Sequence, residues 1–120
     1  MRDLWPTKAE FKEAIPSALR GTALGSLLGI LPGGGAVLAS FAAYTVEKKV
    51  VRNPSFAFGK GAIQGVAGPE AANNAAAQTS FIPLLTLGLP SNPIMAIMMA
   101  IMAMLMGMRM TAQTTVTHRL

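Results

Sequence analysis

The sequence contains no cysteine, which excludes disulfides and cysteine–zinc sites while leaving the cellular compartment open. Acids are scarce, five in all, and there is a single histidine, His118, in a polar tail that carries no chemistry. Neither a catalytic triad, a paired-carboxylate site nor a metal-ligand cluster can be assembled from these residues, and an enzyme is not expected. The aromatics, five Phe, one Trp and one Tyr, are scattered without a stacking pattern. The net charge of +5 therefore does not point to nucleic acid. Charged residues make up 12% of the chain, about half the usual share. They are absent altogether between Arg20 and Glu47 and between Glu70 and Arg109.

What is present is apolar. Hydrophobic residues reach 52% and mean hydropathy is positive. Charge-free runs of this length indicate membrane. Each run is interrupted near its middle, the first by Leu31-Pro32-Gly33-Gly34-Gly35 and the second by Leu87-Gly88-Leu89-Pro90-Ser91-Asn92-Pro93. Paired hydrophobic segments broken by Gly and Pro are a pointer to a transporter's binding site. The expected fold is an all-α membrane protein of transmembrane helices with Gly/Pro-broken re-entrant hairpins. At 120 residues it is expected to be a partial chain, since transporters are longer.

Five segments follow. Residues 1–18 form an amphipathic N-terminal segment, in which Thr7 and Glu10 have capping-box spacing and Trp5 suits a membrane interface. Its start is not that of a signal peptide, because no apolar stretch follows the early charge. Residues 19–46 form a broken apolar hairpin. Gly21, Gly25, Gly29 and Gly33 recur every four residues and follow one helical stripe, which lets helix backbones approach closely. Each half, about twelve residues or 18 Å, is too short for a hydrocarbon core of about 30 Å. Equal basic flanks favour a hairpin with both ends on the cytoplasmic side.

Residues 47–68 form a basic connector. Residues 69–108 hold apolar helices with the second break. There Pro69 and Glu70 suggest a helix start, and Asn92 an N-cap with Pro93 at the first helical position. Ile94–Gly107 is apolar on every face. Residues 109–120 are a polar, frayed tail.

The residues also resemble a known family. Arg20-Gly21-Thr22, Leu31-Pro-Gly-Gly-Gly-Ala36, Ala39-Ser-Phe-Ala-Ala-Tyr44 and Glu47-Lys48 occur in order. Phe58-Gly-Lys-Gly-Ala-Ile-Gln-Gly-Val-Ala-Gly-Pro-Glu-Ala-Ala-Asn-Asn-Ala75 and Ile82-Pro-Leu-Leu-Thr-Leu-Gly-Leu-Pro90 follow. This ordered set is similar to the second half of the large membrane subunit of tripartite tricarboxylate transporters, the TctA family. The resemblance implies cation-coupled secondary transport of carboxylates, with sodium or proton as coupling ion and no other cofactor. It also implies a bacterial inner-membrane, multi-pass location. The implied partners are membrane lipid, a small membrane subunit and an extracytoplasmic solute-binding protein. Two departures stand out: the second break reads Pro90-Ser91-Asn92 where the family has Pro-Gly-Ser, and the sequence after Met106 leaves the family pattern. The alternative is a non-transporting membrane-embedded fragment or assembly partner from a truncated gene.

For such a substrate, half-helix N-termini offer free N–H groups and a positive dipole end. The expected substrate-binding residues are Gly33, Gly34 and Gly35 at the first break and Ser91 and Asn92 at the second. Asn73 and Asn74, polar within an Ala-rich helix, complete the set. Glu70, the only acid after Glu47, and Asn73 are the candidates for the coupling ion.

Overall fold

A computed structural model describes residues 5–117, and side-chain environments for residues 5–110. Among these the chain is all helical: α1 (Lys8–Ile30), α2 (Gly35–Val50), α3 (Gln64–Thr79), α4 (Phe81–Leu87) and α5 (Pro93–Thr117). His118 lies outside the described residues.

α1 opens with the capping box expected from Thr7 and Glu10. The Glu10 backbone N–H donates to Thr7 Oγ1 at 3.3 Å, and the Thr7 N–H donates to Glu10 Oε2 at 2.6 Å. The amphipathic segment does not end before the first apolar run. The two merge into one 23-residue helix with Pro16 inside it, on an exposed face. The helix ends at Ile30, ahead of Pro32, and Gly33 takes φ +86°, which an L side chain adopts only with strain. Gly33 thus belongs to the turn, whereas Gly21, Gly25 and Gly29 are buried on the helix.

Four residues after α1, the chain reverses into α2. The break divides the charge-free stretch nearly equally, so an antiparallel hairpin sets its two bounding charges opposite each other. Arg20 Nε donates to Glu47 Oε1 at 2.8 Å and Nη2 to Oε2 at 2.7 Å. Glu47 is 1% exposed.

α3 then returns parallel to α1. Its register is set by small residues: Gly21 faces Gly68, Gly25 faces Ala72, and Gly29 faces Ala76. A Cβ on Gly21 would stand 2.1 Å from the Gly68 carbonyl oxygen, and one on Gly25 2.2 Å from that of Ala72. α2 closes the third side. Ala39, Ala43, Ala72 and Ala76 form the buried core, with Leu24, Leu28 and Ala36 packed on it. Side chains this small let three backbones approach closely, as in membrane helix bundles.

Pro69 does not begin α3. The helix starts five residues earlier at Gln64, and Pro69 lies within it. The turn is already established upstream, where the Val66 and Ala67 N–H groups both donate to the Ile63 carbonyl. Proline then forfeits one bond, to the carbonyl of Gly65. Pro83 acts more strongly. Its ring crowds the carbonyl of Thr79, and the helix breaks at Ser80 between α3 and α4.

α4 ends in the left-handed Gly88, whose N–H donates to the Leu84 carbonyl at 3.1 Å. α5 starts at Pro93 as expected and runs through Thr117, so the tail anticipated as frayed is helical over its described part. Pro93–Met110 is, among the described residues, the one stretch long and apolar enough to cross a membrane, and 6% of it is buried. Its 18 residues rise about 27 Å, close to the hydrocarbon thickness.

The connector crosses the first turns of α1. The Ser55 hydroxyl and Gln64 Nε2 both donate to Glu13, the latter at 2.7 Å. These bonds hold the Glu13 carboxyl below its ordinary value, the Ser55 bond contributing most. An unfolded chain therefore binds this proton more tightly than the folded one does. The stabilisation is complete above the ordinary carboxylate pKa and is lost as pH falls through the depressed folded value. Thermal unfolding followed between about pH 6 and 3 should show this loss, and Glu13→Gln should flatten that part of the profile.

Candidate functional site

The two breaks come close to each other. A Cβ on Gly35 would lie 4.0 Å from the Ser91 carbonyl oxygen, although 56 positions separate the two residues in sequence. Gly35, at φ +61°, is the first residue of α2. No side chain caps that helix, so its first N–H groups and positive dipole end are left to other acceptors. Gly34 is half-buried and helical, its N–H donating to the Leu31 carbonyl at 3.2 Å. Gly33 is exposed, with open space where a side chain would be.

On the other side, Ser91 is 5% exposed, and its hydroxyl has no hydrogen-bond partner. A buried hydroxyl without a partner is costly, which makes it the least satisfied polar group at the junction. Asn92 is already engaged. Its Oδ1 accepts the Met95 N–H at 2.9 Å and its carbonyl accepts the Ala96 N–H at 3.1 Å, which is the N-cap expected of Asn-Pro. The junction thus combines an uncapped helix start, a free hydroxyl and glycine backbone that a ligand can approach. An uncapped helix start of this kind can take an anionic oxygen.

Asn73, Asn74 and Glu70 are placed elsewhere. Asn73 is half-buried and Asn74 exposed, on α3 between the residues that face Gly25 and Gly29. They stand short of the break that ends α1. Glu70 is exposed, two residues past the Gly21–Gly68 crossing. The structure therefore brings Gly34, Gly35, Ser91 and Asn92 to one locus and holds the α3 polar residues further down the bundle.

A model of the family described as "Tripartite tricarboxylate transporter TctA family" matches residues 1–119. The chain belongs to this family. TctA proteins are membrane transporters. Two relatives from Agrobacterium vitis are similar. The 52.8 kDa protein of the TAR-I ttuC′ 3′ region is 62% identical over 95 residues, 79% of this chain and 19% of the relative. The protein of the TAR-II ttuC′ 3′ region is 74% identical over 73 residues, 61% of this chain and 30% of the relative. The chain thus spans less than a third of the length of the curated relatives it matches. No solved structure matches.

Sequence reasoning missed a second polar cluster in this TctA chain, at the end of the bundle away from the breaks. Besides the Arg20–Glu47 pair, the buried Ser17 hydroxyl donates to the Gln64 carbonyl oxygen at 3.2 Å. Gln64 is 4% exposed, and its Oε1 has no hydrogen-bond partner. The ion pair had a signal, because Arg20 and Glu47 are the charges bounding an evenly broken run. Ser17 and Gln64 had none, since composition assigns them to the amphipathic segment and the connector.

Proposed function

We propose that this TctA segment contributes part of the substrate site of a cation-coupled carboxylate transporter, with the two breaks forming the site. In this reading α1 and α2 are the arms of a re-entrant hairpin in the bacterial inner membrane. α5 is a full crossing, and the remainder of the large subunit surrounds them. A small membrane subunit and an extracytoplasmic binding protein complete the system. A substrate carboxylate takes the free N–H groups at the start of α2 and the Ser91 hydroxyl. Gly33 and Gly34 keep the approach open, and Asn92 holds the start of α5 in place. Asn73 and Asn74 supply further polar contacts along the bundle. Asn73 and Glu70 are the groups for the coupling cation, sodium or proton.

The observation that carries the reading is the closeness of the two breaks beside a buried hydroxyl lacking a partner. Ser91→Ala tests it, because fold and function respond in opposite directions. Removing an unsatisfied buried hydroxyl leaves the fold as stable or more so. Removing a donor to a carboxylate loses a bond worth about 1.5–3 kcal/mol. In the complete transporter carrying this segment, Ser91→Ala should raise the KM for radiolabelled tricarboxylate uptake by about tenfold or more, with normal membrane levels. An unchanged KM would remove Ser91 from the site.

A further inference from the structure

The end of the bundle opposite the breaks gathers cations. Lys8 and Lys12 lie in the first turns of α1, Lys48 and Lys49 in the last turn of α2, and Arg52 and Lys60 in the connector. All six are exposed. They share one end because α1 and α2 are antiparallel and the connector folds over the start of α1. Thr7, Ala9, Glu10, Glu13, Phe56 and Gly61 accordingly line a single hollow there.

The described acids at this end are already engaged. Glu10 closes the capping box, Glu13 binds Ser55 and Gln64, and Glu47 is paired with Arg20. Among the described residues none of the six cations is in a salt bridge. Glu70, the remaining acid among the described residues, is exposed further along α3. At the other end the charge falls to nothing, since no charged residue occurs over 21–46 or 71–108. Large apolar groups border the cations, with Trp5 83% and Phe56 63% exposed.

We propose that this end is a docking surface for anionic phospholipid headgroups. Trp5 and Phe56 are seated at the boundary between headgroup and acyl chain, and the six cations face the phosphate layer. Two features select a lipid partner over a nucleic acid. The cations ring the end of an apolar bundle rather than a stacking platform, and the aromatics beside them have the amphipathic placement of interfacial anchors. Basic clusters beside apolar helices attract anionic lipid through charges that act additively within a Debye length. This surface does not depend on the breaks binding a carboxylate, so it stands or falls separately from the transport reading.

Trp5 is the only tryptophan in the chain, so its emission reports this end alone. The full chain is reconstituted in vesicles of phosphatidylcholine and in vesicles of phosphatidylcholine with phosphatidylglycerol. Emission should shift to shorter wavelength in the anionic vesicles. The shift should disappear at about 1 M salt, where charges are screened beyond about 3 Å. The combined variant Lys48→Gln, Lys49→Gln, Arg52→Gln should lose it with helical content intact by circular dichroism. If that variant loses helix, Lys8→Gln with Lys12→Gln takes its place. Equal emission in the two vesicle types, or a shift retained in the variant, overturns the proposal. So does a shift reproduced in neutral vesicles by adding an oligonucleotide.

Discussion

Gly25→Val is expected to separate α1 from α3 and to unfold the three-helix unit at moderate temperature. Its Cβ would meet the Ala72 carbonyl oxygen at 2.2 Å, Cα at 2.6 Å and carbonyl carbon at 2.8 Å. All three are backbone atoms, so no rotamer change relieves the clash, and the helices must part. Overpacking a close-packed interior costs about 1–3 kcal/mol, occasionally more; this site belongs at the upper end because the obstruction is rigid. Parting the helices also uncovers Ala72 and Ala76, half of the buried core cluster. Gly107→Ala is the control. Nothing stands within 4 Å of its added Cβ, and alanine favours a helix over glycine by about 1 kcal/mol. Thermal unfolding of the full chain in lipid should show a steep loss for the first variant and none for the second. Equal midpoints would mean that the glycine stripe does not hold α1 to α3.

The second large effect belongs to Arg20 and Glu47, and it should be unequal between the partners. Arg20→Leu leaves the Glu47 carboxylate, 1% exposed, buried without a counter-charge. Removing one partner of a buried pair typically costs about 3–5 kcal/mol. The Arg20 side chain is 37% exposed, so solvent already screens part of the attraction and the lower part of that range applies. Glu47→Leu should cost less, because the guanidinium can extend to water on its long stem. The double variant should recover most of the loss, as apolar replacements of buried ion pairs often do. Unfolding midpoints of the four proteins form a double-mutant cycle. Additive losses would show that the pair contributes no coupling to stability.

The features most legible in the sequence were those fixed by local chemistry. Thr7 with Glu10 specified the capping box, and Asn92 before Pro93 specified the start of α5, because both depend on residues three positions apart. The three buried stripe glycines were legible as a packing face, though not their partners, since nothing local names Gly68 or Ala72. Proline was the least reliable signal. Pro69 suggested a helix start and lies inside α3, whereas Pro83 sits at a break that no pattern announced. Each ring removes one bond to the carbonyl four residues back, so the residue type alone does not tell the interior proline from the one that follows a break. The closeness of Gly35 to Ser91 was beyond reach from sequence, because it depends on how α4 turns after Ser80.

The parallel register of α1 and α3 also governs when the unit can be completed. Ser17 bonds to Gln64 across 47 positions, and Gly21 and Gly68 are separated by the same interval. α1 carries Pro16 and three interior glycines, which lower its own helix propensity. Its support arrives only when α3 has been synthesised, roughly 2–9 s later at about 5–20 residues per second. During that interval the ribosome has delivered an apolar strand of chain whose partner does not yet exist. For that interval α1 has only α2 to pack against, and the close three-helix packing waits on the third helix.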